Sequence, residues 1–523
     1  MAPDILQTHH KPTSTAIHFM YWFIALFAIT QIPLYWVQYP DIHDLPSHLA
    51  RLHILMHLPE SETLQRYYTL RDWQFGTYLT MEVVVPILAR WMDLLFAFKI
   101  FISLATLLMT TGAVALGRVV NGRFSYLLLG VLLFTQNFLF YGGLLNYVFG
   151  LGVAFWLLAA WIHVRNRHSL YCWIGFSLGC IVVYICHLSA FGVYAVGVFG
   201  YELGHARILW GLINQSTLKA LLRSSMQFIP VISLHLLASA SAGNYVSPPF
   251  DGSWLQFLCA WIIYKVVSLV RSPTLCFLEY VGSMPAMAMI GFSSACLFLF
   301  YVGFREGMLK LAAPSRWMVG ALAIVWFFLP FAGFGGMMID TRVIPAVGLL
   351  LWSGLKIREH SKLSPNLVLG LIVTAVVIIS TLTTKEYLSR DDEYRRVRSV
   401  LTKIPEGSTV ATVSLSENGS WPISPHTGAW SVVDRSTFLS DLHAWPFLPV
   451  WVAYRAPYDA LATLARLEGA ETATAPAYEN LKTVYDYVLI VSGSKTRRTE
   501  YAPNAKIIFD LPSFRLLQTK LDP

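Results

Sequence analysis

Carboxylates, imidazoles and a guanidinium follow closely on the first long apolar run of the chain, in the segment YPDIHDLPSHLAR that starts at residue 39. In a helix beginning near residue 44, Asp44, His48 and Arg51 stand at positions i, i+4 and i+7 and share one face. A carboxylate can serve as general base or metal ligand, whereas Arg and His suit a phosphate group. The segment therefore predicts a site for a phosphate-bearing substrate, with Asp41 and Asp44 as candidate bases and His43, His48 and Arg51 as candidate binding residues.

Some of these residues also fit a purely structural role. Asp44 followed by Pro46 is typical of a helix N-cap with proline in the first turn, and capping could coexist with catalysis. His48 and Arg51 would equally fit a solvated helix face. Capping does not explain Asp41, so we favour Asp41 as the catalytic candidate.

Three further candidates lie near the ends of later apolar runs. His187 follows the run that ends near residue 186, where an ionisable group is a functional candidate; the alternative is an interfacial histidine that reaches water. Asp340 and Arg342 precede another run and could hold a lipid phosphate, with Arg342 as the contact; the alternative is an N-cap beside a snorkelling arginine. We expect packing or structural roles for Asn137, Asn146 and Glu82.

The composition is that of a membrane protein. Hydrophobic residues make up 55% of the 523 residues, charged residues only 13%, and the mean hydropathy is +0.54, whereas soluble proteins carry roughly 25% charged residues. We predict a polytopic α-helical fold with about eleven spans, each needing about 20 apolar residues. The predicted spans are 17–37, 94–117, 124–141, 146–163, 171–186, 190–204, 226–241, 281–304, 317–334, 342–356 and 366–384.

Alternate short loops differ in their content of Lys and Arg, which predicts the orientation. The basic loops carry Arg118 and Arg123, Arg165 and Arg167, Arg207 to Arg223, Arg305 to Arg316, and Lys356 to Lys362, whereas loops 142–145, 187–189 and 335–341 contain neither Lys nor Arg. The positive-inside rule places the basic loops and the N-terminus in the cytoplasm. The net charge of +8 is therefore attributed to topology, and no nucleic-acid partner is expected.

The longer non-spanning segments then face the opposite side. We predict a transmembrane domain over 1–384, with surface helices in a first extracytoplasmic loop, 38–93, and an interfacial segment, 242–280. Residues 385–523 are richer in charge and contain the β-like runs Thr409–Ser414, Tyr487–Val491 and 506–509, together with a helical pattern over 455–483. These features predict a small C-terminal α/β extracytoplasmic domain.

Several enzyme and transporter signatures are missing from the sequence. The chain has no phosphate-binding loop, dinucleotide fingerprint or HExxH motif, and its six cysteines lack metal-ligand or redox spacing. No internal repeat is evident, which disfavours a transporter. No nucleotide is expected, no residue is assigned as a metal ligand, and a divalent cation is left open as a cofactor.

This layout resembles the GT-C superfamily of membrane glycosyltransferases, most closely its uncharacterised bacterial members. In that family an acidic residue or pair lies near the start of the first extracytoplasmic loop, which also carries surface helices, and many members end in a soluble extracytoplasmic domain. Asp41 and Asp44 occupy the position of the acidic motif, although their spacing is wider than the acidic-x-acidic form of some members. The resemblance covers the whole chain as a layout, and its only motif is short.

The resemblance implies an enzyme that moves a hexosyl or pentosyl group from a polyprenyl-phosphate donor to an extracytoplasmic glycan, lipid or protein. Asp41 or Asp44 would be the base, and Arg51, His187 or Arg342 would neutralise the leaving phosphate. It also implies a cell-envelope protein of the bacterial inner membrane, with its C-terminal domain in the periplasm and membrane lipid around it. The alternatives are a polysaccharide ligase or polymerase, a transporter or flippase, and a non-catalytic assembly protein.

Overall fold

Helices dominate the computed structural model, which describes residues 14–71, 77–167, 169–210, 215–239, 254–271, 298, 300–331, 338–415, 424–442, 452–468 and 475–519. The α-helices are α1 Ser14–Trp36, α2 Leu45–His57, α3 Glu62–Tyr67, α4 Thr80–Leu88, α5 Leu94–Asn121, α6 Phe138–Tyr141, α7 Leu145–Val164, α8 Leu170–Cys186, α9 Leu188–Trp210, α10 Gln215–Ser225, α11 Ile229–Ser239, α12 Trp254–Arg271, α13 Ala313–Phe328, α14 Val343–Gly354, α15 Pro365–Leu401, α16 Trp430–Arg435, α17 Tyr458–Glu468, α18 Ala475–Lys482 and α19 Lys495–Tyr501. Three 3₁₀ helices cover Tyr126–Phe134, Met226–Phe228 and Pro425–Ala429.

Nine short strands complete the described structure. They are β1 Tyr68–Leu70, β2 Leu309–Leu311, β3 Leu355–Ile357, β4 Thr409–Ser414, β5 Phe438–Leu439, β6 Val452–Tyr454, β7 Tyr487–Val491, β8 Lys506–Asp510 and β9 Phe514–Gln518. The three β-like runs predicted in the C-terminal part are thus confirmed as β4, β7 and β8. The predicted helical pattern over 455–483 corresponds to α17 and α18.

Within the described residues, five helices are long and apolar enough to span a membrane: Ala16–Trp36, Leu94–Asn121, Leu145–Val164, Gln215–Leu237 and Pro365–Leu401. Shorter apolar helices cover Tyr126–Tyr141, Leu170–Cys186, Ala313–Phe328 and Val343–Gly354, all of which overlap predicted spans. Most of the predicted span 281–304 lies outside the described residues. The structure therefore supports a helical membrane protein, and the count of eleven spans stays a prediction.

The loops that connect the helices gather at two ends of the helical bundle. At one end, β2 pairs antiparallel with β3, and Asn121 Nδ2 donates to the carbonyl of Ser353 at 2.8 Å, so three of the basic loops meet there. At the other end, the amide of His43 donates to the carbonyl of Tyr141 and the amide of Leu79 donates to that of Ile185. We call these the basic-loop side and the first-loop side. Their separation agrees with the alternation of charge in the sequence, and the assignment of the basic-loop side to the cytoplasm stays a prediction.

The first loop contains helices, and their location at the membrane surface stays a prediction. Helix α2 buries Leu45, Leu49 and Leu52, which lie at helical spacing on one face. A second helix of the first loop, α3, is short: Ser61 caps it by accepting from the amide of Leu64, and the chain continues into β1 at Tyr68. The predicted interfacial segment 242–280 is described only over α12.

A five-stranded mixed sheet with the order β5-β4-β7-β9-β8 lies in the C-terminal part. Its central strands β4 and β7 run parallel, and β7 is buried on both faces, because every one of its residues is apolar or aromatic. Helix α15 runs without interruption through Lys385, the predicted domain boundary, to Leu401. The span and the start of the C-terminal part are therefore one rigid element.

The first loop and the C-terminal part share one hydrophobic core, which includes Ile42, Leu49, Trp430, Leu439 and Val488. Strand β1 of the first loop pairs antiparallel with β6 of the C-terminal part. The outer end of α15 packs between them, because Arg398 forms an ion pair with Asp434 and donates to the hydroxyl of Tyr39 at 2.8 Å. These contacts fix the start of the first loop against the C-terminal part.

Candidate active site at the start of the first loop

Asp44 stands immediately before α2, where the chain leaves the membrane bundle. Pro46 occupies the first turn of the helix, as predicted, but the Asp44 side chain makes no capping hydrogen bond. Its carboxylate instead approaches two imidazoles: Oδ1 lies 3.6 Å from His426 Nε2 and 4.0 Å from His43 Nε2. The capping role proposed for Asp44 is therefore not seen, and its carboxylate is directed to the C-terminal part.

His426 belongs to the 3₁₀ helix of the C-terminal part and is oriented by a second carboxylate. Its Nδ1 lies 2.9 Å from Oδ2 of Asp441, and its Nε2 points toward Asp44. Burial raises the pKa of Asp44 to about 6, against the opposing effects of His426 and Arg51. For His426, burial lowers the pKa, but Asp441 and Asp44 outweigh it, so that the net shift is upward. The three groups form a partly buried carboxylate–imidazole–carboxylate array.

Gly143 lets the loop between two apolar helices approach this array. Its φ is +81°, a conformation that favours glycine, and a Cβ there would lie 2.6 Å from Asp44 Cβ and 3.2 Å from His48 Nε2. Its carbonyl oxygen lies 2.8 Å from His48 Nε2. A side chain at this position would displace both Asp44 and His48.

His48 and Arg51 are buried in a polar network, so the solvated-face alternative is not what the structure has. Arg51 Nη2 lies 3.0 Å from His48 Nδ1 and 3.3 Å from Glu82 Oε1. Because a guanidinium can only donate, Nδ1 accepts and Nε2 donates to Gly143, which fixes one neutral tautomer. Burial, followed by the charge of Arg51, lowers the pKa of His48 to about 3 and agrees with this neutral form.

Glu82, expected to be structural, pairs with the guanidinium of Arg51 and links it to a second group of candidates. Its Oε2 lies 3.5 Å from Asn146 Nδ2, which also donates to the carbonyl of Tyr78 at 2.7 Å. The ring of Tyr78 packs edge-on against His187, with 4.3 Å between centroids. His187 Nε2 in turn lies 2.9 Å from Arg342 Nη1. A continuous set of contacts therefore joins Arg51 to His187 and Arg342.

Asp41 lies in a different environment from Asp44. Its carboxylate accepts from the hydroxyl of Tyr394 at 2.9 Å and lies 4.0 Å from Arg390, both on the outer part of α15. Burial raises its pKa, and Arg390 opposes the shift. The contacts of Asp41 anchor the first loop to α15.

Asp340 is fully buried and contacts Lys265 of α12, which the sequence did not pair with it. Lys265 Nζ lies 2.6 Å from Asp340 Oδ2, and the hydroxyl of Tyr264 donates to Oδ1 at 3.1 Å. Lys265 also donates to the carbonyl oxygens of Trp326 and Leu329. These contacts tie α12 to the end of α13, whereas Arg342 turns to His187.

The residues of the array could also bind a metal ion. The ligand atoms of His43, Asp44 and His426 all lie within 4.8 Å of one another. Two imidazoles and a carboxylate suit a Zn²⁺-like ion, and Asp441 is placed to orient His426 from outside such a set. To bind zinc, the ligand atoms of His43, Asp44 and His426 would have to move closer together, because bonds to zinc are about 2.0–2.2 Å long.

Most of the predicted site residues come together, as one network on the first-loop side. His43, Asp44, His48, Arg51, His187 and Arg342 belong to it, Asp41 lies beside it against α15, and Asp340 lies in a separate ion pair. No sequence pattern indicated His426, Asp441, Tyr394 or Arg390. The motif Pro425-His426-Thr427-Gly428 lies about 380 positions after His43 and Asp44, and no sequence pattern links it to them, so only the fold could reveal the pairing.

Comparisons with known proteins add little to this picture. No protein-family model matches the chain, and no curated protein sequence does. Among solved structures, the chain is similar to ArnT from Cupriavidus metallidurans bound to undecaprenyl phosphate, with 11% sequence identity and a TM-score of 0.45 over 98% of this chain and 99% of that chain. A similarity at this TM-score carries no argument about function.

Proposed function

We propose that the chain is an integral membrane glycosyltransferase of the GT-C type. It transfers a sugar from a polyprenyl-phosphate donor to an acceptor hydroxyl on the first-loop side. The observation that carries the proposal is the placement of Asp44 between His426 and the Arg51 network, where the first loop meets the C-terminal part. A general base and a phosphate-binding group are thereby held side by side.

Asp44 is the better base of the two aspartates. The carboxylate of Asp41 already accepts a hydrogen bond from Tyr394, whereas that of Asp44 faces imidazoles that can exchange protons with it. In the reaction, Asp44 takes the proton of the acceptor hydroxyl as the new bond from that oxygen to the anomeric carbon forms. The bond from the anomeric carbon to the phosphate oxygen breaks, and the lipid phosphate leaves with the electron pair.

Arg51 is placed to neutralise the leaving phosphate. Its side chain is buried, and its Nε–H has no hydrogen-bond acceptor among the described residues. A buried donor without an acceptor is costly, and a phosphate oxygen would supply what it lacks. Arg342, which contacts His187, would be a second cation for the phosphate of the donor, and the apolar helices would contact the polyprenyl chain.

The C-terminal part would select the acceptor. His426 and Asp441 form one wall of the site. They belong to the C-terminal part, whose sheet packs on the first loop. The donor would carry a hexosyl or pentosyl group, and the acceptor would be a glycan, a lipid or a protein. If His43, Asp44 and His426 instead bind a metal ion, elemental analysis of the purified protein would find about one ion per chain, and the ion would polarise the acceptor hydroxyl.

The direct test is sugar transfer by the purified protein in lipid vesicles, with a panel of synthetic polyprenyl-phosphate hexoses and pentoses. We expect at least one donor to release free polyprenyl phosphate with an acceptor extract present. Movement of intact donor across the bilayer without release would instead indicate a flippase. Failure of every donor, with donor binding also absent, would overturn the proposal.

A further inference from the structure

A cavity of about 430 Å³ lies at the opposite end of the bundle from the candidate active site. Helix α7 connects the two regions: Asn146 at its start belongs to the active-site network, and Arg165 lines the cavity just past its end. A helix of 20 residues is about 30 Å long, which is the thickness of a bilayer core. The cavity is therefore on the basic-loop side and separate from the first-loop site.

The lining of the cavity is strongly cationic. Arg165, Arg167, Lys219 and Arg223 contribute positive charge, and Glu202 is the one acidic residue among the described residues of the lining. Glu202 is buried and binds Arg165 with both oxygens, at 2.8 Å to Nε and 2.5 Å to Nη2. This fixed pair holds Arg165 in place, and the remaining cations give the cavity an excess of positive charge that favours an anion.

The inner wall of the cavity is apolar and aromatic. Trp161, Trp173 and Phe176 line it, and the rings of Trp161 and Phe176 pack edge-on with 5.1 Å between centroids. Trp161 is 7% exposed, and its indole N–H has no hydrogen-bond acceptor among the described residues. An oxygen-bearing ligand with an apolar portion would match both parts of this lining.

The cavity is bordered by a helix face suited to lipid. Leu218, Leu222, Met226 and Ile229 recur at helical spacing along α10 and its continuation, and each is more than half exposed. Lys219 and Arg223 follow directly after two of them and turn toward the cavity. This helix belongs to a candidate membrane span, Gln215–Leu237, so its apolar stripe would face acyl chains while its basic residues face the cavity.

We propose that this cavity binds the phosphate-bearing head group of an anionic membrane lipid on the basic-loop side. Arg167, Lys219 and Arg223 would contact the phosphate, the aromatic wall would contact the glycerol and upper acyl region, and the Leu218–Ile229 stripe would leave the acyl chains in the bilayer. The site would anchor the α7–α10 helices without taking part in sugar transfer.

The test compares lipids retained by the full-length protein after incorporation into nanodiscs that contain equal parts of phosphatidylglycerol and phosphatidylcholine. After detergent extraction, native mass spectrometry of the wild type should show bound phosphatidylglycerol in preference to phosphatidylcholine. In Arg167→Gln/Lys219→Gln, we expect this preference to fall about tenfold, because each basic residue near a lipid phosphate contributes to binding. The charge-conserving variant Arg167→Lys/Lys219→Arg should keep the wild-type preference for phosphatidylglycerol.

Lys310→Gln serves as the matched control, since Lys310 is exposed on the basic-loop side but does not line the cavity. We expect it to keep the wild-type preference, and all variants should show the wild-type elution profile. Equal retention of phosphatidylglycerol by the wild type and the double glutamine variant would overturn the proposal. Displacement of the lipid by millimolar inorganic phosphate would also overturn it, because the site would then be one for free phosphate.

Discussion

Arg51 and Glu82 show how single residues maintain the candidate site. Both side chains are nearly inaccessible, and 3.3 Å separates Arg51 Nη2 from Glu82 Oε1. Burial raises the pKa of Glu82, and the charge of Arg51 opposes that shift. Each of the two buried charges is therefore stabilised by the other.

Removing one partner of this pair should be far more damaging than removing both. We expect Arg51→Gln to destabilise the protein by about 3–5 kcal/mol, because it leaves a buried carboxylate without its cation. The double variant Arg51→Gln/Glu82→Gln should recover much of that loss. Thermal unfolding of the purified variants, followed by tryptophan fluorescence, measures both effects.

Arg396→Gln is the control, since Arg396 is exposed on α15 and should change stability little. Equal destabilisation by the single and double variants would contradict the mutual dependence of the two charges.

His48 should give the protein a distinct dependence of stability on pH. Its folded pKa of about 3 lies below its ordinary value of 6.5, so the unfolded chain binds a proton more readily between these two values. The contribution of neutral His48 is therefore complete above about pH 6.5 and is lost as the pH falls toward 3, by roughly 1.4 kcal/mol per pH unit.

The difference in melting temperature between pH 7 and pH 5 tests this prediction. It should be smaller in His48→Gln than in the wild type, because glutamine has no proton to gain. His360→Gln, at an exposed position in the loop after β3, should retain the wild-type difference. An unchanged difference in His48→Gln would mean that His48 does not titrate as the buried network requires.

At the scale of elements, the sequence predicted the helices and strands that have a recognisable pattern within their own residues. Apolar runs predicted the spanning helices, helical spacing predicted α2, and β-branched runs predicted β4 and β7. Strands β1 and β6 were not predicted, because each has three residues and its partner lies almost 400 residues away. Helix α15 continues past Lys385 because its outer part, although charged, packs Tyr394 and Val397 against the first loop and the C-terminal part.

The same contrast applies to the site. Asp44, His48 and Arg51 could be found because they lie on one helix at fixed spacing. Their tautomers, ion pairs and distinct environments depend on residues that arrive from other elements: Gly143, Glu82 and His426. No local pattern in one sequence connects these residues.

Gly143 offers a test of how the turn between α6 and α7 positions the site. We expect Gly143→Ala to abolish most transfer activity, since its Cβ would lie 2.6 Å from that of Asp44 and its φ is positive. Gly122→Ala is the matched control: its φ of +76° imposes a similar backbone strain, but nothing lies within 4 Å of the added Cβ. That variant should lose about 1 kcal/mol of stability and keep its activity.

Measuring both turnover and melting temperature distinguishes the effect of backbone strain from the effect of displacing Asp44. Similar activity losses in both glycine variants would refute a positioning role for Gly143.

At the scale of the whole molecule, the first loop and the C-terminal part behave as one body. Trp430 illustrates this, because it is 1% exposed in the C-terminal part and its ring lies edge-on to that of Tyr39, with 5.2 Å between centroids. Arg398 of α15 stacks over the same tryptophan at 4.7 Å. The C-terminal part thus helps to hold the segment that carries Asp41 and Asp44.

Truncating Trp430 should therefore loosen the first loop. We expect Trp430→Ala to cost about 3–5 kcal/mol, as large-to-small substitutions in cores do, and to raise hydrogen exchange in residues 39–52. Tyr501→Ala removes a comparably buried ring that contacts Tyr478, and it should raise exchange near the sheet only. Unchanged exchange in residues 39–52 of Trp430→Ala would show that the two regions are independent.

The central claim is that Asp44 is the base of a sugar-transfer site, and the most direct measurement is turnover by Asp44→Asn with the best polyprenyl-phosphate donor. Asparagine keeps the shape of the side chain but cannot take a proton, so we predict a loss of about 10²–10⁴ in turnover with donor affinity nearly unchanged. Asp392→Asn, at an exposed position on α15, should keep full turnover. Wild-type turnover by Asp44→Asn would contradict the account.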